Sequence, residues 1–159
     1  MINLICVDAR RTVCSNKSVA TRGRILAIDY GEKNIGFACS DELCLTVQPL
    51  PSLPNRGQKD FLKRLKETVR LMDIKELVIG IPFNMDGTQG DSVLRMDRIM
   101  KAVNSALKMP LIGVDERLST VEAMEHWREM SPRRRKRYRT VDSLAAALIL
   151  ERHLKEEQC

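Results

Sequence analysis

Gly23 to Asp41 reads GRILAIDYGEKNIGFACSD. RILAID is an apolar run closed by Asp29, YGEKN is rich in turn formers, and IGFACSD alternates like a returning strand. Asp41 and Glu42 form the next turn, and CLTVQPL supplies a third strand, stopped by Pro49, Pro51 and Pro54. The reading is a three-stranded antiparallel meander.

Downstream the period changes. Phe61, Leu62, Leu65, Val69 and Met72 recur at helical spacing, and ELVIGI follows as a buried strand ending at Pro82. Beyond the loop FNMDGTQG, Val93, Met96, Met100, Val103 and Leu107 mark a second helix, and LIGVDE is another apolar strand. Ser119 and Glu122 have capping-box spacing at the start of a third helix. Leu144, Ala145, Leu148 and Ile149 mark the final helix, with Thr140 as its N-cap. The order β-β-β-α-β-α-β-α-α predicts an α/β fold, in which the meander and two parallel strands form one mixed sheet flanked by helices. Residues 1–22 are weakly periodic and read as an appendage, with one short strand at Leu4 to Val7. Residues 23–159 then form a single domain.

The chain has 159 residues, 27 Lys and Arg, 21 Asp and Glu, and a net charge of +6. Six basic residues fall between Arg133 and Arg139 (RRRKRYR), and without them the charges balance. A cluster of this kind suits phosphate-backbone binding, although a solvated basic loop would look the same. With one Trp, two Tyr and three Phe, the chain lacks an aromatic platform for base stacking. Its five cysteines are scattered, with no C-x-x-C pair, which fits a reducing cytosol and not a zinc site. MINLICV is a poor signal peptide, and no apolar stretch approaches the roughly 20 residues that span a bilayer. A cytoplasmic protein is expected.

Acids fall where sheet architecture would gather them. Asp29 ends the first strand, Asp115 and Glu116 end the last, and Asp142 sits in the first turn of the final helix. Ligands in open α/β sheets collect beyond the carboxyl ends of the strands. Carboxylates brought together there would repel unless a cation compensates them or one is protonated, and an all-oxygen set selects Mg²⁺ or Mn²⁺. Singly, each acid has a structural explanation: Asp29 as an Asx-turn, Asp142 as a helix-dipole partner, and Asp115 or Glu116 as an ion pair with Arg117. Asp115 and Glu116 also alternate faces, so one of them points away. His126 and His153 lie mid-helix, where packing or solvent exposure is expected of them, not catalysis.

The stretches Gly23 to Asp41, Val78 to Gly90 (VIGIPFNMDGTQG), Val114 to Ala123 (VDERLSTVEA) and Val141 to Leu150 (VDSLAAALIL) together resemble the motifs of the YqgF family, in order. The resemblance implies a ribonuclease H-like fold related to Holliday-junction resolvases. It also implies a nuclease that acts on the 5′ end of pre-16S ribosomal RNA. On that resemblance Asp29, Asp115 and Asp142 are metal ligands, with Glu116 as the other acid of the third motif able to take the middle role. Lys33, Asn84 and Arg117 would hold substrate phosphates, helped by Arg133, Arg134, Arg135, Lys136, Arg137 and Arg139. Gly31 and Gly36 would permit close backbone approach around the first acid. Two departures stand out: Ile81-Pro82-Phe83-Asn84 holds no acid where many superfamily members have one, and Arg139 stands where junction resolvases commonly have a further acid or His.

Three alternatives remain at the level of sequence: cleavage of branched DNA, a non-catalytic RNA-binding module, and a nucleotide-binding domain of the sugar-kinase type. The last shares Asp29-Tyr30-Gly31 with a phosphate motif but lacks the second domain and any P-loop. A monomer or a homodimer would be compatible with these readings.

Overall fold

The computed structural model describes residues 23–81, 91–115, 119–138 and 140–158. The expected appendage strand at 4–7 lies outside the described residues. Among the described residues, five strands and five helices follow in the order β1 (Arg24–Tyr30), β2 (Asn34–Ser40), β3 (Val47–Pro54), α1 (Gln58–Met72), β4 (Ile74–Ile81), α2 (Asp91–Leu107), β5 (Leu111–Asp115), α3 (Ser119–Glu129), α4 (Pro132–Tyr138) and α5 (Val141–Gln158). The sheet order is β3-β2-β1-β4-β5. β1–β2 and β2–β3 are antiparallel, while β1–β4 and β4–β5 are parallel, which is the mixed sheet expected from the sequence.

Alternation along the strands divides two cores. Leu26 and Ile28 of β1 pack with Ile35 and Phe37, Leu77 and Ile79, and the buried faces of α1 and α2 (Phe61, Leu65, Met96, Ile99, Val103). Ile25 and Ala27 point the other way, joining Ala38, Val78 and Val114 under Ala146, Ile149 and Leu150 of α5. The first half of α5 is apolar almost all round because it is covered twice: the sheet lies beneath it, and α3 covers Leu144 and Ala145 through Ala123 and Trp127. Each fully buried Leu or Ile contributes about 1.5–3 kcal/mol. Burial therefore holds the body of α5 against the sheet.

Two boundaries differ from the sequence expectation. The third strand begins three residues later than expected and runs through its prolines to Pro54. It can do so because β3 is an edge strand, where a missing N–H breaks no second ladder. Cys44 instead sits in the preceding turn at φ 57. The basic segment, expected as a loop, forms α4. Pro132 at its first position and a run of good helix formers explain that. Cys39 and Cys44 are buried free thiols, and burial pushes Cys39 up to about 11.

Candidate active site

Asp29 pairs directly with Gly36 across β1 and β2. Paired residues share a face, and the parity of Ile25 and Ala27 puts this pair on the α5 side. A Cβ built on Gly36 would lie 2.0 Å from the carbonyl oxygen of Asp142 and 2.4 Å from its carbonyl carbon. The backbone of α5 therefore rests on the one residue opposite Asp29, in the space that a side chain would occupy. That contact brings the first and last motifs together.

Polar groups hold the helix end there. The Thr140 hydroxyl accepts from the Ser143 N–H at 3.2 Å, making the expected N-cap, and itself lies 3.2 Å from the Ser52 hydroxyl of β3. Ser143, fully buried, donates to the Leu50 carbonyl at 2.6 Å. Loss of such a buried partner costs about 1–3 kcal/mol. Asp142 itself is half-buried, as is Asp29, so solvent still reaches the rim. Ser52 and Ser143 escaped the sequence reading because their role depends on a long-range contact.

The β1–β2 turn is equally tight. A Cβ on Gly31 would lie 2.5 Å from the Asn34 carbonyl oxygen, so both glycines singled out in the sequence are required by close approach. Asn55 donates to the Gly31 carbonyl at 2.8 Å, and its backbone N–H donates to the Lys33 carbonyl at 2.8 Å. Lys33 is exposed beside this turn. Arg95 at the start of α2 pairs with Glu32 at 2.8 Å, linking that helix to the same turn.

Asp115 falls elsewhere. It pairs with Ile81, which packs against the α1–α2 core, whereas its neighbour Val114 belongs to the α5 core. Register thus places Asp115 on the opposite face from Asp29 and two strands away, about 10 Å at ordinary strand spacing. This differs from the expectation that Asp115 joins the other two ligands. The backbone carbonyl of Asp115 accepts from Arg152 at 2.9 Å, tying the end of β5 to α5. Glu116, Arg117, Asn84 and Arg139 lie outside the described residues, as do the side chains of Arg134 and Arg137.

Within α4, Arg133 and Lys136 are exposed. Arg135 is already engaged, donating to the Trp127 and Arg128 carbonyls at 2.8 and 3.0 Å with its guanidinium 5.7 Å from the Trp127 ring centroid. It closes the C-terminal end of α3, a role that its place in a basic run does not announce.

A family model described as "RuvX: Holliday junction resolvase" matches residues 23–156. The chain belongs to this family. A Syntrophus aciditrophicus protein named "Putative pre-16S rRNA nuclease" is 40% identical over 82% of this chain and 87% of its own length. A Dictyoglomus thermophilum protein of the same name is 37% identical over 82% of this chain and 94% of its own length. Among solved structures, T. thermophilus RuvC in complex with a Holliday junction substrate superposes with a TM-score of 0.52 at 15% identity, covering 86% of this chain and 96% of that one. Fowlpox virus resolvase with its junction DNA gives 0.53 at 11% identity, covering 86% and 99%. Those two likenesses concern the fold, which is ribonuclease H-like. RuvX membership makes the chain a nuclease, an enzyme that hydrolyses phosphodiester bonds in nucleic acid, and such a family implies divalent-metal dependence. Among the described residues, no helix is long and apolar enough to cross a membrane.

Proposed function

We propose that this RuvX protein is a cytoplasmic, Mg²⁺- or Mn²⁺-dependent nuclease that trims the 5′ end of precursor 16S ribosomal RNA. The observation that carries the reading is the seating of Asp142 on Gly36, opposite Asp29. Two carboxylates brought toward one sheet edge form an oxygen donor set suited to a hard divalent cation. Asp29 and Asp142 would hold it. Because Asp115 faces the other side of the sheet, we assign the third carboxylate to Glu116. A bound ion would polarise the scissile phosphate and favour hydroxide at its water. The chain's own groups bind and orient: Lys33 at the rim and Arg133 and Lys136 on α4 engage flanking phosphates, with Asn84, Arg117, Arg134, Arg137 and Arg139 completing the basic surface. Arg135 acts through α3 instead. The domain is residues 23–159, working as a monomer or a homodimer.

The names of the Syntrophus and Dictyoglomus relatives favour precursor RNA as substrate. Arg139, where junction resolvases commonly carry an additional ligand, weighs against branched DNA. The test is cleavage of a pre-16S RNA 5′ fragment and of a four-way DNA junction, each with Mg²⁺ and with EDTA. RNA cleavage that is lost in Asp29→Asn and in EDTA, with RNA binding retained, supports the proposal. Cleavage of the junction alone, or undiminished RNA cleavage by Asp29→Asn, overturns it.

A further inference from the structure

A second group of ligating side chains lies at the far end of α5. Glu76, His153 and Glu157 offer donor atoms that all lie within 4.8 Å of one another. The Nε2 atom of His153 is 2.8 Å from Glu76 Oε1 and 4.0 Å from Glu157 Oε2, so one ring nitrogen faces both carboxylates. His153 is 95% buried, while Glu76 and Glu157 retain partial access to solvent. Position 153 follows Asp142 by eleven residues, which is about 16 Å along a helix axis. Glu76 stands opposite Ile25 at the start of β4, the end of the sheet remote from Asp29. This group is therefore separate from the nuclease site.

We propose that Glu76, His153 and Glu157 form a structural binding site for a divalent transition metal of the zinc class, clamping the C-terminal half of α5 to β4. The donor set is one imidazole and two carboxylates, the mixed nitrogen and oxygen chemistry that Zn²⁺ accepts and Mg²⁺ does not favour. His153 and Glu157 have i,i+4 spacing, which places both on one helix face without strain. Tetrahedral coordination at 2.0–2.1 Å separates neighbouring ligand atoms by about 3.3 Å. The two His153 separations of 2.8 and 4.0 Å bracket that figure, and rotation of the two carboxylates, whose donor atoms lie within 4.8 Å, would complete the arrangement. The electrostatics agree. The hydrogen bond to Glu76 raises the proton affinity of His153 against the opposing effect of burial, with the charges of Glu76, Glu157 and Glu156 adding to it. This pocket selects positive charge at Nε2. A dication there would neutralise both carboxylates, whereas a proton neutralises only one.

The experiment is Zn²⁺ titration of the full chain by calorimetry and by competition with a chromophoric chelator, in millimolar Mg²⁺. Asp29→Asn/Asp142→Asn protein removes two of the three proposed nuclease carboxylates and leaves no donor pair there, so the outcome is independent of the proposed function. The expected result is one equivalent of Zn²⁺ bound by that protein, with a Tm increase of several degrees. Adding Glu157→Gln should weaken binding at least 100-fold, and His153→Gln should abolish it. Co²⁺ at the site should show the visible absorption of a low-coordinate nitrogen and oxygen complex. Glu157 lies on the solvent side, so its variant keeps the test decisive if His153→Gln does not fold. No zinc bound by the double variant, or binding unchanged by Glu157→Gln, overturns the proposal.

Discussion

Replacing Gly36 by Ala tests how the candidate site is built. The new Cβ would meet the Asp142 carbonyl oxygen at 2.0 Å and its carbon at 2.4 Å, both backbone atoms that cannot rotate away. Restoring ordinary contact at 3.4 Å requires the strand and the helix end to part by about 1.4 Å. Overpacking of this kind costs about 1–3 kcal/mol. The same movement lengthens the Ser143 to Leu50 bond, now 2.6 Å, by a similar distance. A displacement near 1 Å at a reacting centre lowers rates by about 100-fold. Gly36→Ala should therefore remain folded at 25 °C with a Tm several degrees lower, and lose about two orders of magnitude in RNA cleavage at saturating Mg²⁺. Val103→Ala, a fully buried change in the opposite core, is the control: it should cost comparable stability and leave cleavage by the folded protein unaffected. Near-native cleavage by Gly36→Ala, or an equal loss in Val103→Ala, would refute the claim that this contact sets the geometry of Asp142.

Further expectations follow from the same coordinates. Glu116→Gln should reduce cleavage at least 100-fold while Asp115→Asn stays within about tenfold, measured as single-turnover rates; the reverse order would return the middle ligand to Asp115. Arg133→Ala/Lys136→Ala should weaken RNA binding and lower its salt slope by up to about 2, measured by fluorescence anisotropy across ionic strength. Arg135→Ala should lower Tm and leave that slope nearly unchanged, since its donors serve the Trp127 and Arg128 carbonyls. Asp41 accepts the Thr46 and Leu45 N–H groups, which hold its carboxyl below the usual range. A lowered folded pKa gives stability that is full above the unfolded value and lost as pH falls through the folded one. Tm measured from pH 5 to 2 should accordingly fall less steeply in Asp41→Asn, whose amide oxygen still accepts; an unchanged acid limb would dismiss the contribution.

Element identity was legible in the sequence wherever one period dominated. Phe61, Leu65 and Met72 announce α1, and the apolar runs of β1 and β4 announce buried strands, because burial imposes the period directly. Reading failed where tertiary position overrides local chemistry. Pro49 and Pro51 argue against a strand until β3 is known to be an edge. The basic run is a different case, because Pro132 and the helix formers after it are local signals that its charge obscured. The site followed the same division. Asp29 and Asp142 can be named from strand end and helix start, but whether they meet depends on Gly36, Ser52 and Ser143, which lie far apart in the chain. The face that Asp115 takes depends on the register of β5 against Ile81, which the sequence does not display.

The way these acids are held also bears on how the proposed metal-binding edge would exist before its metal arrives. Asp142 occupies the first turn of α5, where the positive end of the helix dipole stabilises a carboxylate by about 0.3–1 kcal/mol. Asp29 is the penultimate residue of β1 at a half-buried position, so solvent reaches it. The tethers through Thr140, Ser143 and Gly36 are uncharged. Geometry and charge are thus set by different groups. EDTA should consequently abolish cleavage while changing the Tm of Glu157→Gln protein by no more than a degree or two. A large EDTA-induced loss of stability in that variant would show instead that the metal at the Asp29–Asp142 edge, and not the Gly36 contact, holds the end of α5 on the sheet.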